Sequence, residues 1–151
     1  MKTALKTLSL AAAFALASHA APASAEAIGG AAMKSTSTAD NTCAVHSYGS
    51  VSNSCASTKS FIVALPYSGT AGYRSFTVVA QGATTSDVSC RIAATANTQG
   101  GFYSGSWVSL PAAGSVQTID LGSVYTDTQS SLYLLCNLAL NAKVFSIQWA
   151  H

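Results

Sequence analysis

Charge is what this 151-residue chain has least of: Asp, Glu, Lys and Arg make up 8% of it, with seven basic residues against five acidic. Disordered chains and nucleic-acid binders depend on a denser or more one-sided charge, so both classes are disfavoured. Several motifs are also missing. Without a C-x-x-C pair there is no basis for a zinc ribbon or a thioredoxin-like redox centre. Without a G-x-S-x-G elbow the many serines are not marked as nucleophiles, and Gly105-Ser106-Trp107 lacks the flanking pattern. There is no glycine-rich phosphate loop and no metal-ligand cluster, so no cofactor and no metal are expected. Beyond the N-terminus no segment is long and apolar enough to span a bilayer, and no amphipathic run is long enough for a helix.

The N-terminus has its own pattern. Lys2 and Lys6 precede a short apolar stretch, Leu8 to Ala17, and Ala23-Ser24-Ala25 supplies small residues after it. That order reads as the signal peptide of an exported bacterial protein, cleaved after Ala25, with Ala20 and Ala23 as alternative positions. The first cysteine is Cys43, so nothing beside the apolar stretch could carry a lipid anchor. Cleavage removes two positive charges and leaves Lys34, Lys59, Arg74, Arg91 and Lys143 against Glu26, Asp40, Asp87, Asp120 and Asp127. A neutral mature chain lacks the Lys/Arg density that binds nucleic acid or anionic lipid.

Export places the four cysteines in an oxidising compartment. Of the three possible connectivities we favour Cys43 with Cys55, a local staple, and Cys90 with Cys136, a long-range clamp. The second pair is supported by alternation. Cys90 shares a face with Val88, Ile92 and Ala94, and Cys136 shares one with Leu132, Leu134 and Leu138. Two inward cysteines on separate strands suit a cross-strand or inter-sheet bridge, and a slip of one residue would expose both.

From Cys43 onward, period-two runs alternate with turn clusters, which predicts an all-β domain. A hairpin is expected between Cys43 and Cys55, turning at Ser47-Tyr48-Gly49-Ser50. Strands follow over Lys59 to Leu65, Tyr73 to Ala80, Val88 to Ala94 and Phe102 to Leu110. Further extended chain covers Val116 to Leu121 with Val124. A last hairpin of Leu132 to Leu140 and Val144 to Ala150 is expected across Asn141-Ala142. Turns fall at residues 68–72 and 97–101. The expected architecture is an antiparallel β-sandwich, jelly-roll or Greek-key-like, of seven or eight short strands. Three parts are expected: a leader peptide over 1–25, a flexible Gly/Ala/Ser/Thr-rich segment over 26–42, and one domain over 43–151.

The remaining chemistry is aromatic and small-polar. Asp87, Asp120 and Asp127 read as turn caps rather than catalytic carboxylates or calcium ligands, and His46 and His151 as ordinary surface residues. Phe145, Ile147 and Trp149 look like a core stripe. Tyr103 and Trp107 alternate with Gly105 and serines on one strand face, while Tyr67 and Tyr73 bracket a glycine-rich turn. Rings on a flat face or loop can stack on neutral polar ligands while Asn, Gln and Asp hydrogen-bond to hydroxyls. The leading expectation is therefore a non-catalytic exported module that binds carbohydrate, through Tyr103 and Trp107 or alternatively through Tyr67 and Tyr73. A second is a self-assembling surface or matrix protein, since sheet edges with little charge are poorly guarded. A third is a secreted inhibitor or enzyme acting through a loop such as Tyr48 in the stapled hairpin. The partners implied are a polysaccharide or another surface protein.

Overall fold

The computed structural model describes residues 25–67, 71–95, 102–128 and 130–150. The expected signal peptide up to residue 24, His151 and most of the turns at 68–72 and 97–101 lie outside the described residues. Among the described residues the alternating apolar positions become β1 (Ala25–Gly29), β2 (Lys34–Ser35), β3 (Ala44–Ser47), β4 (Ser50–Asn53), β5 (Lys59–Leu65) and β6 (Gly72–Gln81). They continue as β7 (Val88–Thr95), β8 (Phe102–Ser104), β9 (Val108–Ser109), β10 (Gln117–Thr126), β11 (Ser131–Leu138) and β12 (Lys143–Ala150). Two antiparallel sheets result. The first runs β10-β6-β12-β4-β3, with β1 also on β12; the second runs β2-β5-β11-β7-β8, with β9 also on β7. The protein is an antiparallel β-sandwich.

Its core is the set of inward positions that period two selects. Phe76, Val78 and Ala80 from β6, Ile92 and Ala94 from β7, and Leu132, Leu134 and Leu138 from β11 are buried, as are Ile147 and Trp149 from β12. Cys90 and Cys136 face each other directly across β7 and β11 and are joined, with their Cα atoms 4.1 Å apart. Both side chains point into the core. Cys43 and Cys55 are joined as well, closing the hairpin of β3 and β4. The turn of that hairpin is Tyr48-Gly49 with φ of 47° and 82°, the left-handed pair that matches the twist of a two-residue hairpin.

Four expectations are corrected. Residues 26–42 are not a flexible leader: β1 pairs with β12 from Ala25↔Ala150 to Gly29↔Ser146, and Met33 is fully buried in the core. This segment is tied on through its backbone, with the Ala31 N–H donating to Gly49 O at 2.8 Å and the Thr36 N–H to Ser60 O at 3.0 Å. One ion pair, Lys59 to Asp40 at 2.6 Å, joins the same region to β5. Second, β11 and β12 are not a hairpin; they belong to opposite sheets. Their connection is captured by Asn53, whose carbonyl accepts the Asn141 N–H at 2.7 Å and whose N–H donates to Ala142 O at 3.2 Å. Third, Phe102 to Leu110 is not one strand but β8 and β9, separated at Gly105 to Trp107. Fourth, a register shift in β12 between Val144 and Ser146 turns Val144 into the core and leaves Phe145 half-buried.

Candidate functional site

The sandwich is closed along one side by β10, the edge of the first sheet, which touches β7, β8 and β9 of the second. β10 is not a regular strand. Ile119 and Leu121 face the core; then the pairing with β6 shifts between Asp120 and Ser123, and Val124 and Thr126 face the core. The extra residue is absorbed at Gly122, with φ of 71°, a left-handed conformation that glycine adopts without a Cβ clash. Asp120 holds the bulge by accepting the Gly122 N–H at 2.8 Å. Without that shift Tyr125 would fall on the inward phase set by Ile119 and Leu121. With it, Tyr125 points out.

Tyr125 lies opposite Tyr73 of β6, and the two rings meet edge to face with centroids 5.4 Å apart and planes at 71°. Tyr103 comes from β8 of the other sheet, where it lies opposite Ala94 of β7. Its ring is 6.4 Å from that of Tyr125, at 70°. Both spacings are in the range of favourable edge-to-face pairs. The three rings remain 74%, 46% and 40% exposed at Tyr73, Tyr103 and Tyr125. Together with Ser104, Gly105 and Ser123 they line an open cleft of about 670 Å³, with Val124 beneath. Among the described residues its walls carry rings and hydroxyls, and no carboxylate, imidazole, thiol or cation. Such a lining can stack and hydrogen-bond.

The four aromatic residues singled out from sequence therefore separate. Tyr73 and Tyr103 meet in the cleft. Tyr67 is half-buried and covers Arg74, whose guanidinium lies 4.8 Å from the ring centroid. Arg74 is itself buried and donates through Nε to Thr126 Oγ1 at 3.1 Å. Trp107 stacks on Arg91, 4.7 Å from the ring centroid. Arg91 sits between the inward residues Cys90 and Ile92, so Trp107 covers the outer face of the second sheet. Tyr125 completes the cleft and was not among the sequence candidates. Tyr48 is fully exposed at the tip of the stapled hairpin, and His46 is exposed on β3.

The three aspartates bind their own turns. Besides Asp120 at the bulge, Asp127 accepts the Thr128 N–H at 2.6 Å, and Asp87 accepts Thr84 Oγ1 at 2.6 Å and the Thr84 N–H at 2.9 Å. The Thr84 side-chain bond, followed by its backbone bond, holds the Asp87 carboxyl below its ordinary value. A lowered native pKa stabilises the fold above the unfolded-state value, and this contribution is lost as pH falls through the native one. Carboxyl ¹³C titration should thus give Asp87 a midpoint under that of a free aspartate, and Thr84→Val should raise it. Among the described residues no group of three or more His, Cys, Asp or Glu is placed to hold a metal ion, and no helix is long and apolar enough to cross a membrane.

No protein-family model matches the chain, and no curated protein matches it in sequence. Solved structures share its fold. A GH26-CBM35 β-(1,4)-mannanase from Podospora anserina superposes with a TM-score of 0.52 at 13% identity, over 84% of this chain and 28% of that one. The present chain thus spans little more than a quarter of that enzyme's length. TmCBM61, solved with β-1,4-galactotriose, gives a TM-score of 0.46 at 13% identity over 83% of this chain and 86% of that one. At this identity the first likeness establishes a shared β-sandwich fold and nothing finer.

Proposed function

We propose that this protein is a non-catalytic carbohydrate-binding module, exported and processed after Ala25, whose binding site is the tyrosine cleft. The observation that carries the reading is the convergence of Tyr73, Tyr103 and Tyr125 from both sheets beside Ser104 and Ser123. Exposed rings stack on the apolar faces of sugars while the neighbouring hydroxyls exchange hydrogen bonds with theirs. The fold likeness to a mannanase chain that carries a CBM35 module supports the same ligand class. Two formed disulfides support export, because such bonds persist in oxidising compartments.

Retention of residues 26–151 on immobilised polysaccharides tests the reading. Tyr125→Ala should weaken retention by roughly 10- to 100-fold, the effect of removing an aromatic anchor. Trp107→Ala, which alters a different face, should leave retention within about twofold of wild type and lose only its modest stacking on Arg91. Equal losses for both variants, or retention that ignores Tyr125, would remove the cleft from consideration.

A second reading has one observation in its favour. β3 is an edge of the first sheet, and Ala44, Val45, His46 and Ser47 give it no Lys, Arg, Asp or Glu, with Val45 exposed. Edge strands are usually guarded by charge, and this one invites pairing with another chain. Sedimentation across a wide concentration range decides this: a monomer throughout excludes self-assembly through β3.

A further inference from the structure

The cleft continues into a second feature. Ser123 of the bulge lies opposite Ser75 of β6. Ser75 in turn lies opposite Ala150, and Thr77 opposite Gln148, across β6 and β12. Ser75, Thr77 and Gln148 line a shallow hollow of about 120 Å³ on the outer face of the first sheet, with Trp149 and Ala150 at its side. Tyr73 and Ser75 are alternate residues on the same face of β6, so they bridge the cleft to the hollow. The result is a track of rings followed by hydroxyls and an amide, leading from the sandwich edge towards its middle.

The charges around this track are few and turned away. Arg74, between Tyr73 and Ser75, points inward beneath Tyr67. Arg91 lies under Trp107 on the second sheet. Among the described residues two formal charges stand beside the hollow, Asp120 opposite Thr77 and Glu26 opposite Trp149, and both are negative. The rings also fail to form a plane, since both pairs cross near 70°. A flat crystalline surface needs coplanar rings, and an anionic chain needs cations. Among the described residues that line the track there is neither a coplanar pair of rings nor a basic side chain.

We propose that the ligand is a single neutral polysaccharide chain, bound over several sugar units, with its stacked units in the tyrosine cleft and further units on Ser75, Thr77 and Gln148. This inference rests on the carbohydrate-binding reading and assigns its ligand class and the direction of the chain. Gln148 supplies a donor and an acceptor to a sugar hydroxyl pair. It is a specificity residue for chain length and takes no part in the stacking.

The experiment uses residues 26–151 with galactomannan, xylan, β-glucan and β-galactan as neutral chains, polygalacturonate and alginate as anionic ones, and crystalline cellulose. Oligosaccharides of the best-retained neutral chain are then titrated by length. Wild type should bind neutral chains alone, and affinity should rise by roughly tenfold or more as length grows beyond the units that fill the cleft. Gln148→Ala should flatten that rise and leave the shortest oligosaccharide unaffected, whereas Tyr125→Ala should weaken every length. Tyr125-dependent retention on polygalacturonate, alginate or cellulose would overturn the ligand class while keeping the cleft. A length dependence unchanged in Gln148→Ala would overturn the track alone. No retention of wild type on any glycan would overturn the carbohydrate reading itself.

Discussion

Replacing Cys90 and Cys136 together with alanine is expected to cost about 4 kcal/mol, because the bond closes a loop with a sequence separation of 46 and restricts the unfolded chain accordingly. The whole stability of a domain is only about 5–15 kcal/mol, so the loss removes a large fraction of it. For a domain of this size the midpoint of thermal unfolding should fall by roughly 10–20 °C. Removing Cys43 and Cys55, separated by 12 residues, should cost about 1 kcal/mol less by the same dependence on loop length. Thermal scans of the two double variants by circular dichroism provide the comparison. If the short-loop variant proved the less stable, loop entropy would not be the governing term. The β3–β4 hairpin, with its register at Ala44↔Asn53, would then depend on its staple in the native state.

Asn53 is expected to be the most sensitive single polar position. Its side chain is fully buried, and Nδ2 donates to the carbonyls of Ser57 and Leu138 at 2.9 Å each. Its Oδ1 accepts the Cys55 N–H, also at 2.9 Å. One residue thus satisfies the loop after β4, the end of β11 and the approach to the second disulfide cysteine. Asn53→Leu leaves three backbone groups without these partners. Because each unsatisfied buried group costs about 1–3 kcal/mol, the expected loss is roughly 3 kcal/mol or more by denaturant unfolding. Asn53→Asp separates this from a packing effect. It keeps the acceptor for Cys55 but sets a carboxylate oxygen against two carbonyls, which raises the native pKa of the carboxyl. That variant should recover stability as pH falls from its raised native pKa towards the ordinary aspartate value. A deficit that stayed constant over this range would point to shape rather than hydrogen bonding.

The long-range disulfide and Asn53 also illustrate what a sequence can disclose. The Cys90–Cys136 pairing was legible because each cysteine sits in phase with buried neighbours on its own strand, and a strand's two faces follow from alternation alone. The Tyr48-Gly49 turn and the strand ending before Pro66 were legible through local backbone chemistry. Asn53 gave no such signal. Its partners are backbone groups, and three of its contacts come from the far end of the chain. Membership of β11 and β12 in different sheets was hidden for a related reason, since alternation fixes faces within a strand but not which neighbour it pairs with. Residues 26–42 were hidden because they dock by backbone pairing, one ion pair and two scattered apolar residues, Met33 and the half-buried Ile28, which form no periodic face. Tyr125 was hidden by the bulge: continuing the phase of Ile119 and Leu121 buries it, and only the left-handed Gly122 reverses that. Half of the cleft was therefore visible as Tyr73 and Tyr103, while the residue that unites them was not.

The position of β12 sets an order of events in folding. It lies between β6 on one side and β4 and β1 on the other, yet it follows them all in the chain. Every strand of the second sheet is available once Leu138 has been made, whereas the first sheet still lacks its central member. Until Lys143 to Ala150 arrive, the pair of β6 and β10 and the hairpin of β3 and β4 have nothing to join them, and β1 has no partner strand. Pairings between such distant segments form slowly because loop closure precedes the contacts that reward it. The sandwich is thus a lock completed from the far end of its chain, and its cleft, although built from β6, β8 and β10, becomes rigid only when that last strand is seated.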